Sequence, residues 1–165
     1  MTAAIIGLAR RSQSGTPVEE VKVAVLTPEV GMLGDCKGRK FPDRQVTILA
    51  KEDWEAALSA LAGPDGPPDL PWTVRRANVL VQGLTLPRGI GSIMSLGDCL
   101  VQVTGQTTPC SKMEDAYPGL LRALSPDWRG GVLCKVLSGG GIMLGDRVSV
   151  LRETAEKKKV LLPGE

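Results

Sequence analysis

The chain has 165 residues, enough for one domain that buries roughly 70% of its unfolded surface without disulfides or a structural metal. Its net charge is +2, from 20 Lys and Arg against 18 Asp and Glu, which argues against bulk electrostatic capture of nucleic acid. It has no histidine, which excludes a Ser-His-Asp triad, a Cys-His pair and every His-ligated metal site; acid, base and nucleophile fall to Cys, Asp, Glu, Lys, Arg or Tyr.

With 20 glycines and 12 prolines the sequence predicts many turns between short elements. In chain order, apolar runs read as strands over residues 3–8, 21–26 and 45–49. A helix follows over 51–61, where Trp54, Ala57, Leu58 and Leu61 share one face at helical spacing, and the Gly/Pro-rich stretch 63–68 stops it. Further strands are predicted over 77–81, 92–96, 99–104, 131–136 and 147–151, with a short second helix over 117–124. Residues 1–152 read as one domain and 153–165 as a frayed basic tail carrying Lys157, Lys158 and Lys159. The pattern Ile93-Met94-Ser95-Leu96-Gly97-Asp98 is echoed at Gly141-Ile142-Met143-Leu144-Gly145-Asp146, and each copy predicts strand, Gly-Asp turn, strand. The fold class expected is mainly β with minor helix, an antiparallel β-barrel with the Trp54 helix packed outside it.

No run approaches the ~20 apolar residues of a membrane span. The apolar start is followed, not preceded, by Arg10 and Arg11, the reverse of a secretory signal, so a cytoplasmic protein with free thiols is expected. The four cysteines contain no CxxC pair. Cys99 alternates in phase with Val101 and Val103, and Cys134 with Val132 and Val136, so both read as small buried hydrophobes. Cys36, in Gly34-Asp35-Cys36-Lys37-Gly38-Arg39-Lys40, and Cys110, closing Gly105-Gln106-Thr107-Thr108-Pro109-Cys110, belong to no alternation. Thiol chemistry therefore falls to one of these two. Pro109 to Asp115 reads as the opening of a helical turn, where unpaired N–H groups and nearby Lys112 would favour a thiolate at Cys110. An unreactive loop thiol is the alternative.

From Gly31 to Val150 a series of short pieces recurs in a familiar order. It comprises the Gly34-Asp35 turn, Arg44-Gln45-Val46-Thr47, Arg75-Arg76-Ala77-Asn78-Val79 with Gly83-Leu84, and Leu96-Gly97-Asp98 running to Val103-Thr104-Gly105 and Pro109-Cys110. Arg129-Gly130-Gly131-Val132, Val136, Gly139-Gly140, Ile142 and Gly145-Asp146-Arg147-Val148 complete it. No piece is specific alone; their order and spacing are. In them the chain resembles the MOSC domain, the C-terminal domain of molybdenum cofactor sulfurases, which also occurs as stand-alone bacterial proteins.

The resemblance implies a barrel that binds the molybdenum cofactor (molybdopterin), with Cys110 ligating molybdenum or carrying sulfur as a persulfide. Arg44, Arg75, Arg76 and Arg129 are the candidates to hold a pterin phosphate through planar guanidinium donors, and the Gly130-Gly131 backbone could approach a ligand closely. Asn78 would donate to the pterin or cap a strand start, and Cys36 and Lys112 are accessory candidates. The chain departs from the family where members commonly have histidine near the Gly-Asp turn; here Cys36-Lys37 stands instead. With no iron–sulfur cysteine spacing and no desulfurase-sized N-terminal domain, sulfur or electrons would come from a partner. That partner is expected to be a cysteine desulfurase, or a molybdoenzyme or electron-transfer protein; pyridoxal phosphate would enter only through the desulfurase. Neither nucleic acid nor membrane is expected. The function implied is sulfur or cofactor handling through a reactive cysteine, as a carrier or sulfur transferase. The alternatives are a molybdenum-dependent reductase of N-hydroxylated compounds and a non-catalytic accessory module of cofactor biosynthesis.

Overall fold

The computed structural model describes residues 2–155. In chain order the elements are β1 (Ala4–Arg10), β2 (Glu19–Val21), β3 (Val23–Thr27), β4 (Gly31–Met32), β5 (Val46–Ala50), α1 (Lys51–Ala60) and β6 (Val79–Gln82). Then come β7 (Ile93–Leu96), β8 (Cys99–Gln106), α2 (Ser111–Ala116), α3 (Leu120–Leu124), β9 (Val132–Ser138), β10 (Gly140–Met143) and β11 (Val148–Arg152). Two 3-10 turns, Trp72–Arg75 and Pro126–Trp128, lie between them. The protein is mainly β with few helices, and among the described residues no helix is long and apolar enough to cross a membrane.

One sheet runs β11-β7-β8-β9-β5-β6-β1-β2 and the other β10-β3-β4. All ladders are antiparallel except β5–β6, whose chain crossover contains α1. Alternation decides which side of each strand is buried. On β8, Cys99, Val101 and Val103 face the main core while Leu100 and Gln102 do not; on β9, Val132, Cys134 and Val136 do the same. The middle strand β5 is buried at every position because both faces are covered. Val46, Ile48 and Ala50 enter the main core, whereas Leu49 lies under the helices with Trp54 and Ala57 of α1 and Leu120, Ala123 and Leu124 of α3. The Trp54 helix thus packs on the outer face of the large sheet, as its apolar stripe predicts.

The large sheet does not close into a barrel through a strand ladder: β11 and β2 are its edges. A single bridge, Ala4 to Arg147, joins the start of β1 to the turn before β11, with Ile5 N–H donating to Asp146 O at 2.9 Å. The sequence echo also resolves differently in its two copies. The first is the hairpin β7–β8, with Leu96 opposite Cys99. In the second, β10 and β11 part company, β10 pairing with β3 and β11 with β7. Both turns carry a positive-φ glycine, Gly97 at +57° and Gly145 at +93°, and in the second the Asp146 carboxylate accepts Met143 N–H at 2.9 Å, but a turn does not dictate which strand its outgoing arm will join. The helix expected over 117–124 begins only at Leu120. Gly119, at φ +89°, breaks it from α2 and donates its N–H to the Glu114 carboxylate at 2.9 Å. Thr154 is tied down by hydrogen bonds to Ser92 Oγ and Ile90 O, and the expected basic tail from Lys157 to Lys159 lies outside the described residues.

Candidate functional site

A cleft of about 350 Å³ opens where the end of β1, the 35–37 loop, β5, the Trp72–Arg75 turn and the segment after β8 converge. Seven cationic side chains line it, Arg10, Arg11, Lys37, Arg44, Arg75, Arg76 and Lys112, against the single carboxylate of Asp35. That carboxylate is buried and its oxygens accept Arg11 N–H at 3.0 Å and Lys37 N–H at 3.2 Å. With Cys36 N–H donating to Arg11 O at 2.8 Å, the 35–37 loop is strapped to the chain leaving β1. Asp35 therefore positions Cys36 and Lys37 and leaves the cleft strongly cationic.

Arg75 is the most deeply placed of these cations, only 5% exposed. Its Nε donates to Gly130 O at 3.0 Å and its Nη2 to Thr107 O at 3.1 Å. Burial pushes its pKa down, and only the negative charge of Cys110 opposes that shift. Lys37 is partly buried, its Nζ 3.5 Å from Thr47 Oγ1. Its pKa is lowered by burial first and by Arg75 next, while Asp35 raises it and Arg44 and Arg11 lower it further. Thr107, 8% exposed, contributes a hydroxyl with no hydrogen-bond partner. Among the described residues none of Arg11, Lys37, Arg44, Arg75, Arg76 and Lys112 forms an ion pair. Buried or half-buried donors without counter-charges are costly, and this cleft collects several of them.

The structure brings Cys110, Cys36, Lys112, Arg44, Arg75, Arg76 and Asn78 to this one cleft. Cys110 is exposed at the N-cap of the six-residue helix α2; its carbonyl accepts Met113 N–H at 2.9 Å and its side chain makes no capping bond. The Asn78 amide ties neighbouring strands together, Oδ1 accepting Thr47 N–H at 3.0 Å and Nδ2 donating to Ala9 O at 3.2 Å. Arg129, Gly130 and Gly131 are not brought to the cleft wall. Arg129 Nη1 donates to Ala123 O at 3.1 Å. The close approach that the two glycines permit is to the protein's own backbone: a Cβ at Gly130 would meet Thr107 O at 2.5 Å, and one at Gly131 would collide with Ile48 O. Sequence reasoning missed Thr107, Arg11 and the working position of Lys37. Lys37 had a signal, since it stands beside Cys36 in the basic stretch after the Gly34-Asp35 turn; Thr107 sat unmarked in a polar run.

Placement separates the four thiols. Cys110 is exposed and Cys36 partly so, while Cys99 and Cys134 are buried with their pKa values raised by burial, and Cys99 also by Asp98 and Asp146. A small alkylating reagent is expected to modify Cys110 first and Cys36 second in the native protein, and Cys99 and Cys134 only on unfolding. Peptide mapping that found Cys99 labelled in the native state would contradict the β8 register.

Fold and cleft together define a small β-rich domain with a cationic, thiol-bearing cleft. The chain belongs to the MOSC domain family, whose family model matches residues 31–149. Among solved structures it is similar to the YuaD protein of Bacillus subtilis, at 20% identity over 90% of this chain and 94% of that one, with a TM-score of 0.71. It is similar also to YiiM of Geobacillus stearothermophilus, at 20% identity over 91% and 73%, TM-score 0.63. YiiM of Escherichia coli stands at 18% identity over 92% and 71%, TM-score 0.63. At these identities the likeness is one of fold. No curated protein matches the chain.

Proposed function

We propose that the cleft binds the molybdenum cofactor and that Cys110 handles its sulfur or its metal, as persulfide carrier or as ligand. The observation that carries this reading is the coincidence of an exposed soft donor, Cys110, with uncompensated cations in one cleft. The donor set fits the group. A phosphate-bearing pterin needs cationic N–H donors, which Arg75, Arg76, Arg44 and Lys37 offer, and a further donor, which the unpartnered Thr107 hydroxyl offers. A soft metal centre needs a thiolate, which only Cys110 and Cys36 present here. Among the described residues no group of three or more His, Cys, Asp and Glu side chains could hold a bare ion, so the metal would have to arrive with most of its ligands.

When bound, the cofactor would supply two-electron oxygen-atom chemistry that no side chain here can supply. The chain's own contribution is to bind the phosphate through guanidinium and ammonium donors and to present Cys110. As a carrier, the Cys110 thiolate attacks the outer sulfur of a donor persulfide, a bond to that sulfur forms, the donor sulfur–sulfur bond breaks, and the donor leaves as a thiolate. A cysteine desulfurase partner is the proposed donor. Protein purified from a cofactor-competent host is expected to carry molybdenum and pterin in near-equal amounts, and protein from a host lacking the cofactor to carry neither. Absence of both from the competent host would overturn the reading.

A further inference from the structure

The small sheet β10-β3-β4 turns one face to the core and the other to water. Ala24 and Leu26 of β3, Met32 of β4 and Ile142 of β10 belong to the main core. By alternation the residues between them point outward, and they are apolar: Val23 and Val25 on β3, Met143 on β10 and Leu33 just past β4. Register makes them neighbours. Val23 stands opposite Met143 and Val25 opposite Gly141, while Leu33 N–H donates to Val25 O at 2.9 Å and continues the β3–β4 ladder. With Leu144 at the following turn, each of these side chains is between 41 and 59% exposed, and together they leave roughly 400 Å² of apolar surface in water, as much as the largest patch on a typical monomer. A strand whose outer face meets water normally turns polar side chains that way; β3 turns valines. None of these residues lines the cationic cleft.

We propose that this face is the interface of a two-fold dimer, covered by a second copy of the chain whose β3 runs antiparallel to the first. Size, relief and charge all favour that occupant. A standard interface hides about 800 Å² per partner, a little over half of it apolar, and this patch with a polar rim is of that scale. Its relief is self-complementary. Met143 projects from the outward face of β10, and two residues earlier Gly141 leaves a hollow, where a Cβ would meet no atom within 4 Å. A two-fold axis lying between the two sheets, across the strands, lays the Val23–Met143 row of one copy over the Val25–Gly141 row of the other. Each Met143 then fills the Gly141 hollow of the opposite copy. The ends of β3 carry opposite charges: Lys22 precedes it and Glu29 lies in the turn beyond it, both exposed and neither in an ion pair among the described residues. Reversing the strand brings Lys22 of each copy toward Glu29 of the other, whereas a parallel arrangement would bring like charges together.

Sedimentation equilibrium of the full chain reads the association, with a reductant present so that the exposed Cys110 cannot cross-link copies. The parent is expected to be a dimer at micromolar concentrations, whether or not the cleft is filled. Met143→Lys sets a charge in each hollow and should raise the dissociation constant about thirtyfold or more. Gly141→Leu is the sharper test. It adds apolar surface, so indiscriminate adhesion would strengthen, whereas a filled hollow excludes Met143 and should weaken the dimer about tenfold or more. Lys22→Glu should weaken it several-fold, and adding Glu29→Lys should restore it, because the exchange re-forms both pairs with their signs reversed. Lys22 and Glu29 are exposed and hold up no part of the core, so this exchange still decides the matter if a substitution in β10 unfolds the domain. A parent that stays monomeric at every concentration overturns the proposal and leaves the face to a different partner. Gly141→Leu associating as tightly as the parent, or no rescue by the charge exchange, overturns the antiparallel two-fold.

Discussion

Cys110→Ser is expected to abolish sulfane-sulfur loading while leaving the stability of the domain within about 0.5 kcal/mol of the parent. The fold tolerates the change because the side chain is exposed and makes no capping bond, and the backbone carbonyl that accepts Met113 N–H is retained. Serine is moreover a favoured N-cap residue, so any shift in unfolding should be toward stability. The chemistry does not tolerate it. A serine hydroxyl keeps its proton at neutral pH, is a poor acceptor for sulfane sulfur and is a hard ligand for a soft metal. Intact-protein mass after incubation with a persulfide donor reads the outcome directly, as the gain of one sulfur. Cys36→Ser is the control, because that thiol lines the same cleft. Loss confined to Cys110→Ser identifies Cys110 as the carrier. Loss in both variants means that the two thiols act together, one receiving sulfur and the other resolving it. Loading of Cys110→Ser at the parent level would remove Cys110 from the mechanism.

What the sequence made legible is what periodicity encodes. The alternation around Cys99 and Cys134 placed both thiols in the core, and the stripe from Trp54 to Leu61 placed α1 on the outside of the sheet. Periodicity reports which face of a strand is buried; it does not report the neighbour. Two Gly-Asp turns of nearly identical sequence therefore became one hairpin and one crossing between sheets. The site divides along the same line. Cys110 and Cys36 were visible as thiols outside any alternation, and Arg44, Arg75 and Arg76 through the order and spacing of the family's pieces. Whether a polar side chain faces a ligand or its own backbone depends on contacts distant in sequence. Asn78 bridges strands through Thr47 and Ala9, and Gly130 yields its carbonyl to Arg75 across 55 positions. Thr107 became conspicuous only because the fold left its hydroxyl without a partner.

Arg75→Met is expected to weaken binding of sulfate, or of a phosphate-bearing ligand, by about 1.5–3 kcal/mol, roughly 10- to 100-fold, one lost charge-assisted contact. Two opposing effects keep the domain folded. The bonds to Gly130 O and Thr107 O are lost, but so is the cost of holding an unpaired guanidinium almost fully buried. Methionine fills much of the vacated volume, so the unfolding midpoint should move far less than the affinity. The natural comparison is Arg129→Met, which removes the same charge from the protein. Arg129 donates to Ala123 O and does not line the cleft, so its loss should change affinity by less than about twofold at physiological ionic strength, where distant charges are screened. Equal losses in the two variants would mean that a diffuse positive field, not a built subsite, holds the anion.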